Sequence, residues 1–314
     1  LNGDIGWSLF PWLGLELHDA SVATLAAPDK PFADLQMLGL SVRVLPLLRK
    51  EVQMSDVRVE GLNLRLTRDK DGHGNWQDIG KPAPAGVSTE TPVASTETVS
   101  KPDSVSQPLK LDIDSLTVNN ARVEYNDEQN GQQFSAESIQ LSTGPVHEAT
   151  STPVKLTAFL GTNKPVMRVK TEVDGKLRFD RVLKRYQIED LKVVGEASGE
   201  PLQGKTVTFA AQGQILVDLA ANVAEWSGLK ISANQLRALG ELKANNLDST
   251  PQISGGVSIA QLNLATFLDS IGHTLPPMAP GSLSKVELVS RLSGSPTSLA
   301  FDELNLKVDD SSFT

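Results

Sequence analysis

The chain has 314 residues, of which 39% are hydrophobic and 21% charged, so most of it is expected to fold, and the 24 Gly and 18 Pro point to many turns. Its formal net charge is −9, and without a long Lys/Arg run this excludes nucleic acid as the main partner. The absence of Cys excludes disulfide scaffolds and Cys-ligated metals without fixing a compartment, and no run of about 18 apolar residues is present to cross a membrane as a helix. Residues 1–20 have neither the basic nor the apolar region of a signal peptide, and no initiator Met precedes them. The chain therefore reads as an excised fragment whose anchoring or targeting segment lies elsewhere.

In chain order, "LELHDASV" places Leu15, Leu17, Ala20 and Val22 at i, i+2, i+5 and i+7, and "LGLSVRV" alternates strictly, as half-buried strands do. A short helix is expected over Leu45–Arg49, with Pro46 in its first turn. "VRVEGLNLRL" then sets Val57, Val59, Leu62, Leu64 and Leu66 at i, i+2, i+5, i+7 and i+9. "LRLTRDKDGHGNW" continues as strand, acidic Gly turn and aromatic, ending on Trp76.

Residues 81–107 are rich in Pro, Ser, Thr, Val and Glu and hold no aromatic. Such a segment cannot bury enough surface to offset its ordering entropy, and a disordered loop is expected there. It divides the chain into 1–80 and 108–314.

Beyond it, "LKLDIDSLTV", "VKLTAFL", "KTVTFAAQGQILVDL" and "LNLKV" again alternate. "LTVNNARVEY" places Leu116, Val118, Ala121, Val123 and Tyr125 at the earlier uneven spacing, and "VEYNDEQNGQQF" forms a second candidate hairpin ending on Phe134. In "NLATFLDSIG", Leu264, Phe267, Leu268 and Ile271 fall at i, i+3, i+4 and i+7, with Asn263 as N-cap and Gly272 as stop. Pro276, Pro277 and Pro280 force an extended loop after it. "LKVDDSSF" closes the series with Leu306, Val308, Ser311 and Phe313.

The uneven spacing recurs with His-Asp, Glu-Gly, Asn-Asn and Asp-Asp at the slip. A single extra residue would turn the following side chains to the wrong face. A β-bulge absorbs it and bends the strand, and Asn, Gly and Asp tolerate the backbone required. A two-residue hairpin would preserve the face equally well. The arms are short for a hairpin, so a bulge is expected.

The expected fold is mainly β: a long curved antiparallel sheet of repeated bent strands and hairpins forming an open apolar groove, or half-barrel, with a few short amphipathic helices. Residues 1–80 form its N-terminal segment and 108–314 its continuation. With aromatics at 5%, small aliphatics line the face, and an under-filled apolar trough suits a lipid acyl chain. Candidate lining residues are Val57, Val59, Leu62, Leu64, Leu66, Leu116, Val118, Val123, Ile139, Leu141 and Leu156, with Phe159 at odds with the parity of Ala158 and Leu160.

Chemistry is sparse. "DKDGHGN" (Asp69 to Asn75) resembles a calcium loop but has no Glu at the twelfth position, so a hairpin turn is expected. His18, His73, His147 and His273 are scattered, and no nucleophile elbow, Walker or dinucleotide fingerprint is present. No metal, cofactor or enzymatic activity is expected. Arg43, Arg49 and Lys50 beside "PLL" are read as a solvated helix end, with contact to anionic headgroups as the alternative.

"NGDIGWSLFPWLGLELHDASVA" and "FADLQMLGLSVRVLPLLRKEVQMSDVRVEGLNLRLTRDKDGHGNW" resemble the AsmA family of Gram-negative envelope proteins, which includes AsmA, TamB and YhdP, and are most like the N-terminal region of AsmA. "LTVNNARVEY" and "ATFLDSIG" carry the likeness further, and it is weakest over 145–255. The resemblance implies an inner-membrane helix ahead of a periplasmic β-groove that moves phospholipid toward the outer membrane. Relatives continue beyond "VDDSSFT". With such a helix ahead of Leu1, Trp7, Phe10 and Trp12 fall at the bilayer interface, ordinary core packing being the alternative.

The expected function is thus a non-enzymatic conduit for phospholipid acyl chains, with a scaffold in outer-membrane protein assembly as the rival. The scaffold would bind envelope proteins by strand addition at an open sheet edge. An enzyme or carbohydrate binder requires a cleft of aromatics and carboxylates, which the low aromatic content disfavours.

Overall fold

Alternating apolar and polar residues dominate the chain, and strands accordingly dominate the fold. The computed structural model describes residues 5–8, 12–23, 31–47, 53–76 and 112–314, so the loop expected at 81–107 lies outside the described residues. The strands are β1 (Ile5–Ser8), β2 (Trp12–Val22), β3 (Ala33–Arg43), β4 (Gln53–Glu60), β5 (Asn63–Arg68), β6 (Asp112–Asp127), β7 (Gln132–Thr143), β8 (Val146–His147) and β9 (Thr152–Asn163). They continue as β10 (Val166–Asp180), β11 (Arg185–Gly199), β12 (Thr206–Asp218), β13 (Val223–Ala233), β14 (Leu236–Asn245), β15 (Gln252–Leu262), β16 (Val286–Ser295), β17 (Ser298–Val308) and β18 (Ser311–Phe313). All 18 belong to one sheet.

Pairing follows the chain, each row antiparallel to the next, with β4 and β5 sharing one row and β7 and β8 another. One join differs from the expected antiparallel order. Strand β6 runs parallel to β4 and β5, with Val57 opposite Leu116 and Leu64 opposite Val123. Parallel neighbours cannot be joined by a tight turn and need a longer crossover connection.

Helices are few. The first, α1 (Val44–Leu47), overlaps the span Leu45–Arg49 expected for it and starts one residue earlier, and Arg49 and Lys50 lie outside the described residues. The second, α2 (Leu264–Ser270), starts as the sequence predicts, with the Asn263 side chain accepting from the Thr266 N–H at 2.9 Å. Gly272 at φ 86° stops it, a backbone angle glycine adopts without a Cβ clash.

Residues directly opposite in a strand pair share a face, so register sorts the side chains. On β10, Met167, Val169, Thr171 and Val173 occupy one face and are half-buried or buried, while Arg168, Lys170, Glu172 and Asp174 on the other are exposed. The other long strands repeat this division into a mainly apolar and a mainly polar face.

Of the four sites found in the sequence, the slip in β6 is the expected bulge, whereas those at Gly61 and Asp19 are left-handed bends matched residue for residue on the neighbouring strands. Asn120 has φ 51°, and the β6–β7 register shifts between Val118 and Ala121. Gly61, at φ 59°, divides β4 from β5 and donates its N–H to Asn119 O at 3.0 Å. Asp19, at φ 47°, is matched on β3: Ala20 faces Leu35 and Leu17 faces Leu38, with two residues between on both strands. The fourth site departs from the expected bulge. Val308 pairs with Ser311, so Asp309-Asp310 is a two-residue hairpin turn. Bulge and hairpin preserve the same side-chain parity, and spacing alone does not separate them.

The structure adds four bulges with the same form: Ser138, Asp190, Gly228 and Glu303, each at φ between 50° and 59°, directly before Ile139, Leu191, Leu229 and Leu304. Left-handed backbone is costly except for Gly and, in part, Asn and Asp. Asn120→Val is therefore expected to destabilise the fold by about 1–2 kcal/mol, whereas Asn120→Gly should stay within about 1 kcal/mol of wild type. Urea denaturation midpoints would check both values. The apolar residues that follow these left-handed positions are among the most buried of that face: Ala20, Ala121, Leu191 and Leu229. The bends thus form a floor, from which the two halves of each strand rise as walls.

Asp309 does more than turn the chain. Its carboxylate accepts the N–H groups of Leu283, Ser284 and Lys285 at 2.8, 2.9 and 3.0 Å, fixing the approach to β16. Desolvation would raise its pKa, but the bonds from Lys285, Leu283 and Ser284 together hold it below the ordinary carboxylate value. A depressed folded pKa contributes stability above the unfolded value of about 3.9, and that contribution is lost as pH falls through the folded value. Amide exchange at Leu283–Lys285 is expected to accelerate in that acid range, and to be fast at neutral pH in Asp309→Ala.

Candidate functional site: an open apolar face

The residues singled out in the sequence come together on one face. Val59, Val118, Leu141 and Leu156 form one row across β4, β6, β7 and β9, and Val57 faces Leu116 beside it. Ala121 faces Ile139 at the floor, and Leu64 and Val123 continue beyond. Leu62 follows the left-handed Gly61, and Leu66 faces Tyr125, which faces Phe134. Phe159 does not join them. It lies opposite Lys170 and Glu137 on the polar face, as the parity of Ala158 and Leu160 requires.

The face continues well past Leu156. Val173, Val193 and Ala211 form its next row, and Leu292 and Phe301 lie near its far end. The alternation in "VMRVKTEV" carries the same signal, which the sequence reading passed over.

All the strands belong to one sheet, so no second sheet covers this face among the described residues. Thr152 is the largest fully enclosed side chain there, whereas Phe134, Leu160, Ile231, Leu299 and Phe301 are exposed on the apolar face. Leu299 is 59% and Phe301 53% exposed. Soluble domains seldom leave contiguous apolar surface of this kind open without a partner for it.

At one end of the first rows, Trp76, Tyr125 and Phe134 form an aromatic ladder, with ring centroids 6.0 and 6.1 Å apart and tilts of 51° and 39°. Trp76 and Phe134 follow the two acidic turns read as hairpins, and both turns form: Arg68 bridges Gly74, and Asp127 pairs with Gln132. Asp69, Asp71 and His73 are the one group among the described residues with three metal-ligating side chains in mutual reach. The Asp69 carboxylate already accepts the N–H groups of His73 and Asp71 at 2.8 and 2.9 Å. The His73 N–H bond is the main cause of its lowered pKa. This is the chemistry of a turn.

The polar face carries cross-strand ion pairs, including Lys176–Asp190 at 2.8 Å, Lys243–Glu225 at 2.8 Å and Arg291–Glu303 at 3.1 Å. A hollow of about 400 Å³ over Gly256, edged by Leu239, Val289, Arg291 and Glu303, also opens on that side. It is separate from the trough.

Of the interfacial candidates, Trp7 lies on β1 opposite Leu15 and Trp12 on β2 opposite Arg43, while Phe10 lies outside the described residues. No described helix is long and apolar enough to cross a membrane, which does not bear on crossing by strands.

A single curved sheet with one face apolar and open defines this molecule as a β-groove protein. The chain belongs to the AsmA family, matching it over residues 1–314. No curated protein and no solved structure was found to match.

Proposed function

We propose that the trough is a non-enzymatic conduit for phospholipid acyl chains, and that the chain is the periplasmic part of a bridge anchored in the inner membrane and directed toward the outer membrane. One observation carries this reading: an apolar face continuous from row to row and uncovered among the described residues. Membership of the AsmA family fits an envelope function. Acyl chains would lie on the floor between the walls while headgroups stay in water at the open side.

Burial stabilises each CH2 by roughly 0.8 kcal/mol. Leaving the trough for water would thus be costly, whereas sliding to the next equivalent row would cost little. Continuity then matters more than any single residue, and no reacting group is needed.

A photo-crosslinker at Leu64, with Asn63 on the polar face as control, tests the reading after periplasmic expression in a Gram-negative host. Lipid adducts at Leu64 alone are expected by mass spectrometry. No adduct at either site in a folded, fully labelled protein would overturn the conduit.

A second reading has its own support. Strand β18 covers only Leu306–Val308 of β17, leaving the edge from Leu299 to Asn305 without a partner among the described residues. An envelope protein could add a strand there. That reading requires backbone pairing at β17 and tolerates changes to the apolar face.

A further inference from the structure

We infer that the rim formed by the β10–β11 and β12–β13 turns docks on a lipid surface bearing anionic headgroups. The observation is an apolar tip where hairpin turns are ordinarily polar. Val182 is 78% exposed and Leu183 57%, and Leu219 on the adjoining turn is exposed beside them. The turns are joined, since the Leu219 N–H donates to Lys184 O at 3.0 Å.

The tip is held rigidly. Asp180 accepts the Leu183 N–H at 2.8 Å, and Asp218 accepts that of Ala221 at 2.9 Å. The exposed side chains therefore project from a fixed scaffold. Paired charges flank them, Arg181 with Glu148 at 3.2 Å and Arg185 with Asp218 at 2.8 Å, and the Lys184 ammonium, with no ion-pair partner among the described residues, is the cation left to meet a phosphate. Just inside the tip, Phe179 faces Tyr186 and Tyr186 faces Val217 on the apolar face.

An apolar tip with an unpaired ammonium beside it and two aromatic rings at its base offers hydrocarbon, anionic headgroup and interface each a matching group. Three side chains on two turns are too little surface for a stable protein interface, which takes roughly 800 Å² per partner. A lipid surface accepts a small wedge. Leu45, in α1 at the end of β3, is exposed on the same rim of the sheet, so the apolar edge is not confined to one hairpin. The inference rests on the conduit reading only for what would pass this rim. Docking itself is measured separately.

The test uses co-sedimentation of the chain with vesicles of phosphatidylethanolamine and phosphatidylglycerol. The wild type is expected to partition onto them, and Val182→Asp/Leu183→Asp to reduce partitioning by about tenfold or more, the effect of losing one well-buried side chain. Lys184→Glu should weaken binding severalfold on these vesicles and leave it unchanged on neutral phosphatidylcholine. Because the chain has no Cys, Leu183→Cys carrying an environment-sensitive fluorophore should report transfer to an apolar medium when vesicles are added. No vesicle binding by the wild type, unchanged binding in the double variant, or a label that stays in water would each overturn the inference. Leu64 adducts report on the conduit independently, since lipid can occupy the trough whether or not this rim docks.

Discussion

Val118→Glu is expected to lower lipid retention by tenfold or more, while Thr117→Glu leaves it near wild type. The two positions are adjacent on β6 and face opposite ways: Val118 lies in the row with Val59 and Leu141, and Thr117 pairs with Ser142 on the polar side. A carboxylate on the trough wall must either lose hydration when an acyl chain passes or hold water in the path, and either outcome interrupts an apolar track. On the other face it joins a surface already populated by charge. Lipid co-purifying with each variant, quantified by mass spectrometry per mole of protein, would give the comparison. Equal losses at both parities would sink the assignment of the trough to one face.

The second large effect concerns stability. Leu191→Ala is expected to cost about 2–4 kcal/mol, and Phe301→Ala less than about 1 kcal/mol, although Phe is the larger side chain. Leu191 is buried directly after the Asp190 bulge, while Phe301 is more than half exposed on the same face. Burial by the protein itself decides the difference. The floor holds the sheet together, and in the proposed conduit the walls are left for an acyl chain to cover. Urea midpoints for the two variants would separate these roles, and equal losses would indicate a closed, self-filled core.

Much of this was legible in the sequence because strand parity is written directly in residue order. Leu15, Leu17, Ala20 and Val22 carry the bulge spacing openly. So do Phe134, Ala136, Ile139 and Leu141, and Ala224, Trp226, Leu229 and Ile231, which the sequence reading passed over although the signal is the same. Their slips hold Glu-Ser, which looks less like a turn than Asn-Asn does, and Ser-Gly, which is as turn-like as the Glu-Gly already recognised, so a search by spacing alone would have found both.

Asp309-Asp310 shows the converse. Its spacing matches a bulge, and only the pairing of Val308 with Ser311 makes it a hairpin. The parallel seat of β6 was not legible at all, because alternation assigns a face and says nothing about which strand lies alongside. The same limit applies to Val182 and Leu183: two apolar residues in a turn become an exposed tip only once the neighbouring turn is placed against them.

That parallel seat also bears on how the molecule assembles. From β6 to β18 nearly every pairing joins strands close in sequence, so this part can zip up hairpin by hairpin with little loop-closure cost at each step. The join of β4 and β5 to β6 must instead close the whole span between Arg68 and Asp112 before any ladder bond is gained. Refolding is therefore expected in two phases, a fast one spreading through β6–β18 and a slower one in which β1–β5 dock onto its first strand. The site of the largest entropic barrier is the seam between the two halves of the trough, so a continuous track would exist only after the last step of folding.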